Sequence, residues 1–340
     1  MTVEGLDLAA LRTWLDQAAP GLLVGPLQGR LITGGKSNLT YAVTDGTTEV
    51  VVRRPPLGHV LATAHDMGRE YRAMAALSGT AVPVPTMYAH CEDTEVIGAP
   101  FYVMELVSGT PYKRAAELDA LGAERTRAIA DRLVDTLAAL HAVDYRAVGL
   151  EEFGRPDGYL ERQVRRWSKQ LAASRSREID GIDELAARLA KAIPAAGDAT
   201  IVHGDYRLDN ALVDDNDQIT AVLDWEMSTL GDPLTDIALM LSYQQMAEAA
   251  GPDGSSSTVT DAPLAAGYPS QDEVLERYAT ASGRDVGDIG WHLGLAFFKL
   301  AVILEGIHFR YTQGQTVGDG FAGIGDSVGP LVHAGLAATD

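Results

Sequence analysis

Residues 33–40 read TGGKSNLT. The GGKS at the centre has the composition of a P-loop tip, so this stretch poses a choice between two folds. A P-loop requires Gly, four residues, then Gly-Lys-Ser/Thr, with a helix following. Counting back from Gly35, the first glycine should fall at position 30, which is Arg30. The residues that follow, NLTYAV, alternate like a strand. Both requirements fail. The flanking segments LQGRLIT, LTYAVT and TEVVVRR repeat with period two. TDGT at 44–47 is a hairpin signal, with Asp45-Gly46 expected to supply positive φ angles. The stretch is therefore a glycine-rich turn within an antiparallel meander. By itself it reads more readily as a bare hairpin tip than as a cover for phosphates.

Working outward, Leu6, Leu8, Leu11, Trp14 and Leu15 have helical spacing over 6–18. HDMGREYRAMAALS at 65–78 places Met67, Tyr71, Met74 and Leu77 on one helix face. FYVMEL reads as a buried strand and SGTP as the turn after it. A long helix is expected over 119–142, with further helices over 157–175 and 182–193. TIVHGDYRLDNALVD and ITAVLDWE read as short strands with polar loops. GDPLTDIALMLSY opens a helix with Asp232 as cap. Residues 250–270 read as a long surface loop and a candidate substrate lid, and the last third is helical. The expected fold class is α+β: a β-rich domain over 1–106 and a larger α-rich one over 107–340, with a ligand cleft between them.

The strongest chemical signal is HGDYRLDN at 203–210, followed by LDWE at 223–226. Phosphoryl transfer needs a carboxylate at the acceptor hydroxyl, metal ligands and a cation on the phosphates. Asp205 and Asn210 share one loop, and Asp224 ends an apolar run. In this pattern the chain resembles the protein-kinase-like superfamily, in its aminoglycoside-phosphotransferase-like branch. The resemblance extends through TGGKSN, VVVRR, GREYRAM and MELVSG in order and covers nearly the whole chain.

That resemblance implies a bilobal protein-kinase-like fold and an ATP- and Mg²⁺-dependent small-molecule kinase. Asp205 would be the catalytic acceptor of the hydroxyl proton, and Asn210 and Asp224 the metal ligands. Gly34, Gly35, Ser37 and Asn38 would approach the phosphates through the backbone. Arg53, where kinases carry Lys, would contact the α/β-phosphates and be held by Glu70. Glu105 and Val107 would meet the adenine with main-chain atoms. Arg53 and Arg54 are adjacent and point to opposite faces of a strand, so one of them serves the cleft.

Other roles are structural. His203 braces the loop, Arg207 and Asp209 form a local ion pair, Asp236 braces the catalytic loop, and Glu226 stands behind the metal ligands. Two competing readings are a metal-dependent hydrolase on His203, Asp205 and Asp224, short of His ligands, and a catalytically silent nucleotide-binding pseudokinase.

For the acceptor, RRPPLGHVLATAHDMGREY and LAVILEGIHFRYTQGQ resemble the kinase-like domain fused to acyl-CoA dehydrogenases. This similarity implies a hydroxy acid or hydroxyacyl-CoA, ahead of an aminoglycoside antibiotic and of a choline- or sugar-like acceptor. The pocket is expected near Tyr206, Trp225 and the 291–313 helix, where Lys299, His308 and Arg310 interrupt an apolar run. The net charge of −20 repels nucleic acids and anionic membranes. The lone Cys91 excludes an intrachain disulfide and any cysteine-based zinc site. The N-terminal segment carries no basic-then-apolar signal pattern. The expected setting is cytoplasmic, with a small-molecule hydroxyl substrate, no nucleic acid or membrane partner, and a homodimer left open.

Overall fold

The computed structural model describes residues 3–32, 38–57, 66–195, 197–251, 260–316 and 321–340. Helix α1 (Leu8–Ala18) is started by Asp7, whose carboxylate accepts the N–H groups of Ala9 and Ala10. Strands β1 (Gln28–Leu31), β2 (Leu39–Thr44), β3 (Glu49–Arg54), β4 (Met87–Cys91) and β5 (Phe101–Glu105) form one antiparallel sheet in the order β1-β2-β3-β5-β4. Helix α2 (Met67–Leu77) precedes β4, and the single turn α3 (Thr94–Ile97) joins β4 to β5.

Strand alternation sorts this sheet into two faces. Val50, Val52, Phe101 and Val103 face outward and pack on Leu8, Leu11 and Leu15 of α1. Val51, Tyr102 and Met104 face inward, onto Met67, Met74 and Leu77 of α2 and on into the helical lobe. Arg53 therefore belongs to the inner face and Arg54 to the outer. Arg54 is buried there, donating to the carbonyls of Gly5, Ile97 and Pro55.

The larger lobe holds α4 (Ala115–Asp119), α5 (Ala123–Ala142), α6 (Tyr159–Ser174), α7 (Ile182–Lys191), α8 (Leu234–Ala250), α9 (Gln271–Ser282), α10 (Gly290–Thr312) and α11 (Val328–Ala338). Two short antiparallel pairs carry its loops: β6 (Thr200–Val202) with β9 (Thr229–Gly231), and β7 (Ala211–Val213) with β8 (Ile219–Val222). A second core joins α6, α7, α8, α10 and α11. α10 is long and apolar enough to cross a membrane by length and composition, but 67% of its most apolar window is buried against its neighbours. The chain crosses between lobes beside β7: Thr110 bridges Val213, and a Cβ on Gly109 would stand 2.8 Å from that of Leu212.

The structure corrects three local expectations. The helix expected over 119–142 starts later, at Ala123: Asp119 ends the preceding α4, and Gly122 with φ +92° separates the two. In the 44–47 hairpin only Gly46 has positive φ; Asp45 instead accepts the N–H groups of Thr47 and Thr48. Tyr206 and Trp225 are core residues, 1% and 0% exposed, so neither lines an acceptor pocket. The Tyr206 hydroxyl donates to the Leu133 carbonyl and the Trp225 indole to that of Val222.

Candidate active site

Arg53 projects from the inner face of β3 into the cleft. Its Nη2 donates to Asp224 Oδ1 at 2.8 Å. Its Nε lies 3.1 Å from Glu70 Oε2 as an ion pair, without hydrogen-bond alignment. Glu70, from α2, is 0% exposed, where an isolated reading of the helix would leave it as a surface charge. Tyr102 donates to its Oε2 at 2.8 Å and Asn38 to its Oε1 at 3.2 Å. Burial pushes the Glu70 carboxyl up, while Arg53 pulls it back. Burial also disfavours the Arg53 guanidinium, but Tyr102, Glu70 and Asp224 together hold it charged.

Asp224 stands two residues beyond β8 with φ 66° and ψ 57°. This left-handed geometry costs an L residue roughly 1–2 kcal/mol. It ends the strand and opens a tight turn over Trp225–Met227. Arg69, one residue before Glu70, donates from Nε and Nη2 to the Ser228 carbonyl and from Nη2 to that of Phe153. Helix α2 is thereby tied to the loop that carries Asp224. Arg69 could not be singled out in the sequence, because a cation on an amphipathic helix reads as solvated.

The loop after β6 is held from below. Asp236 of α8, fully buried, accepts the N–H groups of His203 (2.7 Å) and Gly204 (2.8 Å) and faces the His141 ring. Burial would raise its carboxyl, but His141 and His203 outweigh that and hold it low. The His203 ring meets the Leu223 carbonyl through Nε2 and accepts the Asp205 N–H at Nδ1. Both ring nitrogens are thus engaged within the fold, as the bracing role expected of His203 requires. Leu223 also donates to the Asn210 carbonyl, so the 203–210 and 223–226 segments are stitched together.

Asp205 Oδ1 accepts the Tyr243 hydroxyl at 2.8 Å and Oδ2 the Asn210 amide at 3.2 Å. Burial works to raise this carboxyl, but Arg207 and Lys299 overcome it and keep it below the usual carboxylate range. Arg207 pairs with Asp209 at 2.9 Å. Asp232 accepts the Leu234 N–H at the start of α8 and faces His292. Tyr243 escaped the sequence reading, although a signal exists. It lies seven residues after Asp236, two turns along the same face of α8, so the helix that grips the loop also reaches its carboxylate.

The remaining expected contacts divide. Gly34, Gly35 and Ser37 lie outside the described residues. Asn38 is 5% exposed and its side chain serves Glu70. The Glu105 N–H is taken by the Thr86 carbonyl and its carboxylate by the Thr86 N–H and hydroxyl. Among the described residues the Val107 N–H has no partner. In the 250–270 loop, Thr260 and Asp261 dock on Lys113 and Ala115.

The donor set near Asp224 fits a hard divalent ion, which takes oxygen ligands. Carboxylate oxygens of Glu70, Asp224 and Glu226 lie within 4.8 Å of one another, and Glu226 Oε2 is buried without a partner. Asn210 gives its amide N–H to Asp205, which leaves Oδ1 to a ligand. Burial, Asp224 and Glu70 push the Glu226 carboxyl up to about 7. A raised folded-state value gives stability that is complete below the unfolded value, 4.5, and lost as pH rises through about 7. In metal-free buffer the denaturant midpoint should fall between about pH 5 and 8, and Glu226→Gln should flatten that slope. An unchanged slope in Glu226→Gln would assign it to another group.

A cleft between a five-stranded lobe and a helical lobe, with these residues at its mouth, defines the kinase-like class. Residues 28–285 match the family described as the phosphotransferase enzyme family. A solved structure from Ralstonia eutropha JMP134, provisionally named an aminoglycoside phosphotransferase, is 35% identical, covers 98% of each chain and superposes with TM-score 0.85. Acyl-CoA dehydrogenase family member 11 of Rattus norvegicus is 33% identical over 97% of this chain but only 43% of its own length. The aminoglycoside phosphotransferase APH(4)-Ia, solved with AMP-PNP and hygromycin B, shares the fold at TM-score 0.60 and 15% identity, with 97% of each chain covered. The chain belongs to the phosphotransferase enzyme family. Membership of that family implies phosphoryl transfer to an alcohol group, with ATP as donor. It spans less than half the length of the curated relatives that it matches.

Proposed function

We propose that the chain is an ATP- and Mg²⁺-dependent kinase whose acceptor is the hydroxyl of a hydroxy acid or hydroxyacyl-CoA. The observation that carries the catalytic part is Asp205. It is kept ionised beside Arg207 and Lys299, oriented by Tyr243 and Asn210, and stitched to the loop whose Asp224 meets Arg53. Asp205 accepts the proton of the acceptor hydroxyl and aims that oxygen at the γ-phosphate. Asn210 and Asp224 would hold Mg²⁺, with Glu226 beside them; the ion would neutralise charge on the phosphates. Arg53 turns from Asp224 to the α/β-phosphates while Glu70 keeps its base in place. A bidentate guanidinium suits that task although kinases use Lys. The Val107 N–H and the carbonyl of Glu105, whose N–H the Thr86 carbonyl already takes, would meet the adenine, at the division we draw between lobes 1–106 and 107–340.

The acceptor class is supported by the relatives in which such a chain accounts for part of an acyl-CoA dehydrogenase family member. Phosphorylating a hydroxyl turns hydroxide into a phosphate leaving group, ready for a later elimination. An aminoglycoside acceptor is the second reading, favoured by the name of the Ralstonia eutropha relative.

ATP consumption with Mg²⁺ should rise above the acceptor-free rate with hydroxyacyl-CoAs or free hydroxy acids. Stimulation by aminoglycosides alone would install the second reading. Nucleotide binding with no stimulated turnover would make the chain a silent nucleotide binder.

A further inference from the structure

Lys299 lies in the middle of α10, the most apolar long helix of the fold, and its sequence position suggests either snorkelling to solvent or a substrate contact. The structure shows a third arrangement. Its Nζ donates to the Gly204 carbonyl at 2.6 Å and lies 5.8 Å from the centre of the Trp167 ring. That carbonyl belongs to the peptide joining Gly204 to Asp205. The N–H on the other side of Gly204 is held by Asp236 Oδ1 at 2.8 Å. Gly204 has φ +83°, and a Cβ there would meet the Met227 carbonyl oxygen at 2.7 Å. The residue before Asp205 is thus clamped from α8 on one side and from α10 on the other, in a conformation that glycine alone adopts without strain.

We propose that Lys299 is a positioning residue for phosphoryl transfer, acting through the Gly204 carbonyl to fix the peptide from which Asp205 projects. The inference rests on the reading of Asp205 as the group that receives the acceptor proton. A buried cation in an apolar helix is costly unless it is paired. Burial pushes the Lys299 ammonium's pKa down, and the nearby Asp205 and Asp236 offset part of that by favouring its charged form. Beside it is a cavity of about 30 Å³, lined by Tyr159, Trp167, Thr235, His292 and Lys299 among others. This is room for about one water. Without the ammonium, the carbonyl would face that small space instead of a fixed donor, and the loop would gain freedom where the reacting geometry is set.

The test compares Lys299→Met, which keeps the stem and removes the donor, with Lys299→Arg, which keeps a cationic donor. Two readouts are taken on the full chain: amide hydrogen exchange, and kinetics with separately measured nucleotide affinity. In Lys299→Met, exchange at Gly204–Tyr206 should quicken by about tenfold while α10 and the core stay protected. Misplacement of a reacting group predicts a kcat lower by about 10–100-fold with nucleotide Kd within about twofold. Lys299→Arg should restore most of the kcat.

Unaltered exchange at Gly204–Tyr206 would overturn the proposal. So would quickened exchange spread through α10, or a kcat loss that Arg does not restore. If Lys299→Met fails to fold, Lys299→Leu is read by the same criteria, and if neither folds the role is structural and the proposal falls. If the parent shows no acceptor-dependent turnover, the kinase reading falls, and local exchange still decides whether Lys299 holds this loop.

Discussion

Asp205→Asn is expected to lower kcat by about 10²–10⁴-fold, the range associated with loss of a positioned general base. The amide keeps an oxygen for the Tyr243 hydroxyl and the shape of the loop, so it isolates loss of the charge that receives the proton. Asp205→Ala should lose at least as much activity. It also leaves the half-buried Tyr243 hydroxyl without its acceptor, a penalty at the low end of about 1–3 kcal/mol. In both variants nucleotide affinity should stay within a few-fold of the parent, because Asp205 acts on the acceptor. Acceptor-dependent turnover close to the parental rate in Asp205→Asn would remove the residue from the mechanism.

The second large effect is on stability as well as activity. Arg53→Met leaves Glu70, 0% exposed, without its cation. Breaking a buried ion pair from one side costs about 3–5 kcal/mol, and the hydrogen bonds from Tyr102 and Asn38 offset only part of that. Burial already raises the Glu70 carboxyl above its ordinary 4.5, and loss of Arg53 raises it further. The folded state then binds a proton that the unfolded state releases. The variant's stability should therefore be lost progressively as pH rises from near 4.5 through its raised value. Denaturant unfolding should show a gap between parent and variant that narrows towards acid and widens towards neutrality. A gap independent of pH would mean that the cost is packing, not an uncompensated carboxylate. Arg53→Lys should lose less, but one ammonium cannot reproduce the guanidinium's simultaneous reach to Glu70 and Asp224.

Much of this arrangement was legible in the sequence, for identifiable reasons. Period-two alternation assigned the meander, and the same alternation separates Arg53 from Arg54. The apolar run ending near Asp224 and the polar HGDYRLDN stretch marked the ends of short strands, where loops carry chemistry. Asp236 was legible as a brace because it opens a helix directly after those loops. Less legible was whatever depends on packing between distant segments. Nothing local to Tyr243 or Arg69 says that one reaches Asp205 and the other grips the Ser228 carbonyl. Trp225 and Tyr206 were misplaced because an aromatic beside a catalytic motif looks the same in sequence whether it faces a ligand or the core. Asp45 was assigned a backbone role because Asp-Gly permits two turn geometries, and its side chain selected the one in which only Gly46 is left-handed.

The central claim is that Arg53, Asp205 and Asp224 surround one triphosphate. The most direct measurement is a crystal structure with a non-hydrolysable ATP analogue and Mn²⁺, located by its anomalous scattering. The account predicts the ion on Asn210 and Asp224, Arg53 moved from Asp224 to a phosphate, and Asp205 facing the γ-phosphate. A nucleotide bound away from this cleft, or an ion bound with Arg53 still closed on Asp224, would contradict it.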